Sequence, residues 1–532
     1  MALVVIIYVL LLLLLCNCFI YPAFLSPLAK IPNAHFTSPF SNFWIQWQRY
    51  RSSENKAIHE AHKRLGPIVR LGATELSVSS LDSVRTVYGD GFDRHEWYCR
   101  AFENYGVPNM FSMVHRQPHK ERKRIISSAY SKTTLFASPE IEKISQVLLL
   151  ERLLPTIEAA TRQQNPLDAL EHSLAFSIDF ITAYLFGLHS STNFLQDVAT
   201  RKRWLDAHDR TKGHQFWPME FPSLNAFMRI FGIDIMPSEV VLLTKEVQGL
   251  CLQLMAMVEN SSPSTTNEAK DESTNWTKPI VYEHLLRQLG QLSDNKAPPS
   301  VPGQSSQAQL TIASELMDHI IAGTETSGWT LTYILYELSL QPQLQIALRS
   351  ELCTLSSSMV YTERSFPQPS ALASADLPSP HELDSLPLLD AIVLETLRRY
   401  PAVPGAQPRV SRGQTSLGRF VDIPPGIRVS AQAYSLHRNE NAFPDPESWI
   451  PMRWLDCDKE SRENMMRWFW PFGSGGRMCI GNHFAMLELK LIVGAIYTNY
   501  MTKIVDAEGI EQMDAYTSGP KGNKLILEFQ RA

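Results

Sequence analysis

The sequence is poor in cysteine and has no ordered arrangement of it: seven in 532 residues, at 16, 18, 99, 251, 353, 457 and 479. An odd, scattered set excludes a disulfide framework, and no paired-Cys zinc spacing occurs. The body of the chain therefore suits a reducing compartment. An excess of one charge is missing as well. Lys and Arg (49) nearly balance Asp and Glu (54), a formal −5, so no electrostatic case exists for nucleic acid. No internal repeat and no flavin or nicotinamide fingerprint is present. At 44% hydrophobic and 19% charged the composition is globular rather than disordered.

Long apolar runs are absent but for one. "ALVVIIYVLLLLLCNCFIYPAFLSPL" carries no charge before Lys30, and about 20 apolar residues suffice to cross a bilayer as a helix. A cleaved signal peptide is the alternative. The missing basic n-region, the length of the run and the poor small-residue cleavage pattern speak for a retained anchor. Lys30, Arg49, Arg51 and Lys56 follow it and favour a cytosolic body. We expect an anchor over 1–28, a linker over 29–55 and one body over 56–532.

The body reads as mainly α with a minor β portion. "LLERLLPTIEAATR" and "SIDFITAYLFGL" have helical spacing. "IVRLGATELSVSS" and "RFVDIPPGIRVSAQAYSLH" alternate and are broken by Gly and Pro, which suits short strands. Ser/Pro/Thr-rich stretches at 259–276, 293–307 and 356–380 lack the apolar content for a core and read as loops.

The chemistry concentrates in "PFGSGGRMCIG", 471–481, which sets Cys479 among four glycines. A lone cysteine is most often a small buried hydrophobe. Glycines, however, permit a close backbone wrap, and N–H groups aimed at sulfur favour the thiolate. The next helix, "NHFAMLELKLIVGAIY", adds its positive end. One thiolate holds neither zinc nor an iron–sulfur cluster, but it suffices as the axial ligand of a haem. Phe472-x-x-Gly475-x-Arg477-x-Cys479-x-Gly481 resembles the haem-binding signature of the cytochrome P-450 family of haem-thiolate monooxygenases.

Other motifs follow in that family's order, from about residue 66 to the end. "ASELMDHIIAGTETSGWTLTYILYELS" is a helix pattern interrupted at 322–327 and is similar to the family's central helix. A threonine hydroxyl can bond back one turn and open such a helix. The resemblance makes Glu325 and Thr326 the catalytic acid–threonine pair. Glu395-x-x-Arg398 alone reads as a surface ion pair; the family buries it and ties it to a downstream arginine, here Arg453. For the haem propionates the resemblance nominates Arg477, Arg409 and, in "HRQPHKERKRIISSAYS", His119 and Lys123, with Arg122 or Arg124 as substitutes.

The resemblance implies a cytochrome P-450 fold behind one transmembrane helix, haem b (iron protoporphyrin IX), and insertion of one oxygen atom of O2 into a hydrophobic small molecule of secondary metabolism. Electrons would come from an NADPH-cytochrome reductase on the same membrane, the endoplasmic reticulum, with the body facing the cytosol. Arg462, Arg467 and Lys490 are candidates for the docking face. The substrate pocket is expected from 97–113, the aromatic segment 214–231, Ile320 and Ala322, 402–407 and 516–518, with a simple core role the alternative for the aromatics. Two rival functions remain: a haem-thiolate isomerase or dehydratase, and a haem sensor without turnover.

Overall fold

The computed structural model describes residues 2–89, 91–261, 277–290, 306–357, 359–361 and 377–532. Helix α1, Ala2–Leu25, 24 residues long, has no buried residue. At ~1.5 Å per residue it reaches about 36 Å, longer than the ~30 Å of a hydrocarbon core. It is a candidate membrane anchor, in a form that a signal sequence shares.

The helices that position the site are α2 (Phe43–Tyr50), α3 (Arg116–Ile126), α4 (Ala169–Phe186), α5 (Val198–Lys212), α6 (Phe216–Glu220), α7 (Pro222–Ile230), α8 (Ser238–Ser261), α9 (Gln307–Ser339), α10 (Pro387–Arg399) and α11 (Asn482–Asn499). The 33-residue α9 runs through the middle of the molecule. Its first turn is closed by a capping box: the Ser306 hydroxyl accepts from Gln309 N (3.2 Å) and Gln309 Oε1 accepts from Ser306 N (2.9 Å). Glycine brings α9 close to α4. A Cβ at Gly323 would lie 2.9 Å from Ile181, and one at Gly328 2.7 Å from Leu174. The interruption read at 322–327 is thus no break: α9 is continuous, and these glycines serve helix contact. On the other side of α4, Phe484 of α11 meets Phe180 and Tyr184, with ring centroids 5.0 and 5.2 Å apart. These apolar faces belong to the main core.

Five strands form the principal sheet: β1 (Ile68–Gly72), β2 (Glu75–Val78), β3 (Phe92–Arg94), β5 (Arg409–Ser411) and β8 (Arg428–Ser430), in the order β1-β2-β8-β5-β3. Here β4 is Leu167–Asp168, β6 Thr415–Leu417 and β7 Phe420–Ile423. The expected alternating stretches supply β1, β2, β7 and β8, with β2 and β8 parallel. A second sheet pairs β4, β10 (Ile526–Arg531) and β9 (Tyr500–Asp506) in that order.

The segment read as a linker is packed against the sheet. Leu28 and Ile31 are buried with Ile68 and Leu76, and the backbone pairs Ala34 N with Arg70 O (2.9 Å) and Arg70 N with Pro32 O (2.8 Å). Arg49 is no free basic flank either: it is buried and paired with Glu54, Glu75 and Glu220. Of the Ser/Pro-rich stretches, 262–276, 293–305 and 362–376 lie outside the described residues. The start of the first is helix, because α8 runs to Ser261. Met359 and Tyr361, inside the third, are buried in the core against the α11 side.

Candidate functional site

The loop before α11 is held open by backbone. Cys479 N donates to Phe472 O (2.9 Å), closing the loop on itself. Gly475 has φ +68, and a Cβ there would stand 2.0 Å from Tyr88 O, so no other residue fits. Gly481 caps α11, and its N–H is directed at the Cys479 sulfur. From α3, Lys123 Nζ donates to Gly476 O (3.0 Å) and Met478 O (3.1 Å). Burial pushes the Cys479 thiol up, while Gly481 N–H and Lys123 pull it down. Yet the side chain's own surface is exposed. Both hold together because the sulfur faces a space inside the protein.

A buried ionic network supports this loop. The Glu395 carboxylate accepts from Arg398 Nη2 (2.7 Å) and Nε (2.9 Å), Arg453 Nε (3.0 Å), Ile450 N (2.9 Å) and Trp454 Nε1 (2.9 Å). The Glu395 and Arg398 side chains are 0% exposed, so the surface-pair reading fails and the buried arrangement implied by the resemblance holds. Arg398 Nη1 continues to His437 O (3.3 Å) and Pro446 O (2.7 Å). His437 Nδ1 donates to Arg398 O (2.9 Å), and its Nε2 accepts from Trp470 N (2.7 Å), the residue just before the cysteine loop. The neutral tautomer is therefore required.

Burial, with Arg398 beside it, holds the His437 ring down to about 3. Its folded pKa lies below the unfolded value of ~6.5. This group's contribution is full above pH ~6.5 and is lost as pH falls through the window toward 3. We expect the Tm advantage of the wild type over His437→Asn to shrink between about pH 7 and about pH 5; a constant difference would refute the assignment.

Around the same interior space stand guanidiniums without counter-ions. Arg477 Nη1 and Nη2 donate only to Met113 O (2.6 Å) and Val114 O (2.9 Å). Arg409, 3% exposed, leaves Nη1 without any partner. Arg94, at the end of β3, donates to Phe111 O and leaves Nε unpartnered. Burial and mutual repulsion lower Arg94 to about 10 and Arg477 to about 9. Among the described residues no carboxylate forms an ion pair with any of the three. His119, on α3 with Lys123, is buried; desolvation and these cations hold it neutral, down to about 2. The substitutes fall away: Arg122 is paired with Glu315 at 2.8 Å, and Arg124 is exposed. Such a cluster is suited to a ligand with more than one carboxylate.

On α9 the two residues of the acid–threonine pair diverge. Thr326 Oγ1 donates to Ala322 O (2.7 Å), and Ala322 is exposed in the middle of a largely buried helix, so this face borders the interior space. Glu325 turns instead toward α5, bonded to His208 Nε2 (3.1 Å) and paired with Lys212 Nζ. Burial alone would raise its carboxyl; Lys212 and His208 outweigh that and bring it to about 2.

Several expected lining residues lie elsewhere. Ile320 is 0% exposed and packs in the core. The aromatic segment forms α6 and α7, which have no buried residue. Its Phe227 and Phe231 face solvent, and the Phe216 ring lies tilted against Tyr50 of α2 with centroids 5.4 Å apart, so the segment is not core. By contrast Tyr98, Phe102, Phe111 and Tyr516 do form one aromatic wall, with Phe102 and Phe111 at 4.7 Å and Phe102 and Tyr516 at 5.7 Å. Lys490 is buried between Asp384 (2.7 Å) and Asp390 (2.8 Å) and offers nothing to a docking protein. Arg94, His208 and Lys212 were not anticipated. Each is a single polar residue with no motif spacing to signal it.

Comparison with known proteins agrees with this geometry. The family model described as Cytochrome P450 matches residues 35–527. The chain is 27% identical over 454 residues to the cytochrome P450 monooxygenase avaI of Aspergillus versicolor, covering 82% of this chain and 96% of that protein. It is 24% identical over 522 residues to the cytochrome P450 monooxygenase orf2 of Aspergillus niger (96% and 94%) and 25% identical over 527 residues to hkm5 of Aspergillus hancockii (96% and 92%). A match over nearly the whole length, joined to an open cysteine loop on a buried Glu–Arg–Arg support, leaves one conclusion: this chain belongs to the cytochrome P450 family.

Proposed function

We propose that this haem-thiolate monooxygenase inserts one oxygen atom of O2 into a C–H or C=C bond of an apolar small molecule of secondary metabolism. The observation that carries the site assignment is an uncovered Cys479 beside two buried guanidiniums, Arg94 and Arg409, and the half-buried one of Arg477, none of which has a carboxylate partner among the described residues. Haem b fits that donor set: one thiolate for iron, and cations for two propionates. Cys479 would supply the protein's ligand to the iron. Arg409, Arg477 and Arg94 would hold the propionates, with His119 and Lys123 beside them, while Phe472, Gly475 and Gly481 shape the loop. Bound haem supplies the oxygen activation, which electron donation from a thiolate favours.

The chain's own part is orientation and proton handling. Thr326 presents its hydroxyl on the α9 face that borders the interior space. Glu325 links that helix to His208 and Lys212, and α5 carries on to the surface at Asp209, which pairs with Lys212 (3.4 Å). Protons would reach the site by this route, with Glu325 and Thr326 the catalytic pair. Positioned proton transfer contributes ~10²–10⁴-fold. Glu325→Gln is expected to lower kcat on the order of 10²-fold with substrate binding intact; an unchanged kcat would remove Glu325 from the route.

Electrons would come from a membrane-bound NADPH-cytochrome reductase. Residues 1–28 would anchor the protein in the endoplasmic reticulum and 29–55 would seat the catalytic body, 56–532, against the cytosolic face. Arg467, half exposed, remains available for docking. Purified protein supplied with reductase, NADPH and substrate should consume NADPH and oxygen and release an oxygenated product. Product without oxygen uptake would mean an isomerase or dehydratase, and a binding spectrum without product a sensor.

A further inference from the structure

One buried polar chain links the end of α3 to α9 and takes no part in the route through Glu325. Tyr130, four residues beyond α3, and His319 on α9 are both buried. The phenol oxygen lies 2.9 Å from His319 Nδ1, with the two rings edge to face. His319 Nε2 has no hydrogen-bond partner and stands 3.7 Å from Glu315 Oε1. Glu315 is in turn paired with Arg122, which is 12% exposed and forms the outer end of the chain. A buried polar atom without a partner calls for an explanation, and a redox or proton-handling role is one.

The neighbouring charges fix the direction of this chain. Burial holds the His319 ring neutral, down to about 4. A neutral imidazole has one N–H and one acceptor nitrogen. The Glu315 carboxylate beside Nε2 favours the proton there, which leaves Nδ1 to accept from the Tyr130 hydroxyl. Burial pushes the Tyr130 phenol well up, and Tyr184, Glu315 and Cys479 act in the same direction. Tyr130 therefore keeps its proton at neutral pH and parts with it only when an electron leaves as well. Tyr184 is a built-in comparison. Its ring centroid is 5.7 Å from that of Tyr130, but its hydroxyl donates to Ala129 O, a carbonyl that takes up no proton. Of the two, only Tyr130 has a base. It is also near the cysteine loop: its ring lies 6.2 Å from that of Phe484, five residues after Cys479 on α11.

Resting on the haem reading above, we propose that Tyr130 is a redox-active tyrosine, the outlet for an oxidising equivalent when no substrate is in place. Hydrogen peroxide withdraws two electrons from the haem. Tyr130 replaces one of them, and its hydroxyl proton passes to His319 Nδ1 as the O–H bond breaks and an N–H bond forms. The products are a neutral phenoxyl radical, an imidazolium facing the Glu315 carboxylate, and a haem one equivalent above rest.

The test uses haem-loaded protein without substrate, mixed with hydrogen peroxide and frozen within seconds for electron paramagnetic resonance. The wild type is expected to give a tyrosyl radical signal. Tyr130→Phe should lose it and Tyr184→Phe should keep it. His319→Gln still accepts a hydrogen bond but is no base, so it should lose most of the signal. A ring-fluorinated tyrosine at position 130 keeps the hydroxyl and the packing, and its signal should show fluorine splitting. The proposal would be overturned by a wild type without a tyrosyl signal, or by a signal that survives Tyr130→Phe or vanishes with Tyr184→Phe. An unchanged signal in His319→Gln, or an unsplit one from the fluorinated protein, would overturn it equally. If the wild type gives no thiolate-type carbon monoxide spectrum, it is the haem reading that has failed, and this is visible before any peroxide is added.

Discussion

Replacing Cys479 with serine is expected to abolish turnover while the chain still folds. The sulfur is exposed toward the interior space rather than packed in the core, so removing it forfeits little apolar contact. The loop is shaped by Gly475 against Tyr88 and by the Cys479 N to Phe472 O bond, neither of which involves the side chain. What disappears is a soft anionic ligand. A serine hydroxyl does not ionise near neutral pH, and its oxygen is a harder donor. Circular dichroism and Tm should stay close to the wild type, and no oxygenated product should form with reductase and NADPH. Retained turnover would contradict the assignment of Cys479.

Glu395→Ala should have the largest effect on the fold. The substitution leaves the Arg398 guanidinium 0% exposed without its carboxylate and frees Arg453, Trp454 and Ile450 N as well. Breaking a buried pair by removing one member costs about 3–5 kcal/mol, a large share of a stability of ~5–15 kcal/mol. The damage is directed, because Arg398 positions His437, and His437 positions Trp470 at the mouth of the cysteine loop. The variant is expected to express poorly and to retain little haem. Arg399→Ala, one residue on, is the control. Its partner Glu447 is 59% exposed, and such pairs contribute ~0–1 kcal/mol. Equal stability for the two variants would mean that the network does not support the loop.

Sequence reading reached the parts of the site that are local in the chain. The cysteine loop carries its glycines, arginine and phenylalanine within ten residues, and Glu395 and Arg398 share one helical turn. Even there, the choice between a surface pair and a buried one rested on resemblance, because Trp454 and Ile450 lie more than fifty residues away. The counter-ion-free cluster was only half visible. Arg409 and Arg477 fall in recognisable segments, whereas Arg94 enters from a three-residue strand that sequence alternation hardly marks. The partners of Glu325 sit more than a hundred residues earlier on α5, where a lone His and Lys resemble any solvated face. Lys490 misled for the same reason: its acids, Asp384 and Asp390, are set about a hundred residues before it. The segment 29–55 looked free because its burial is against β1, and Met359 and Tyr361 were hidden among serines.

The central claim is that the Cys479 sulfur, as thiolate, is the protein ligand of haem iron. Its most direct measurement is the carbon monoxide difference spectrum of the purified, dithionite-reduced protein. The account predicts the far-shifted Soret band of a thiolate-ligated ferrous haem, present in the wild type and absent from Cys479→Ser. A wild-type band at the position given by histidine-ligated haem proteins, or the shifted band surviving in Cys479→Ser, would contradict it.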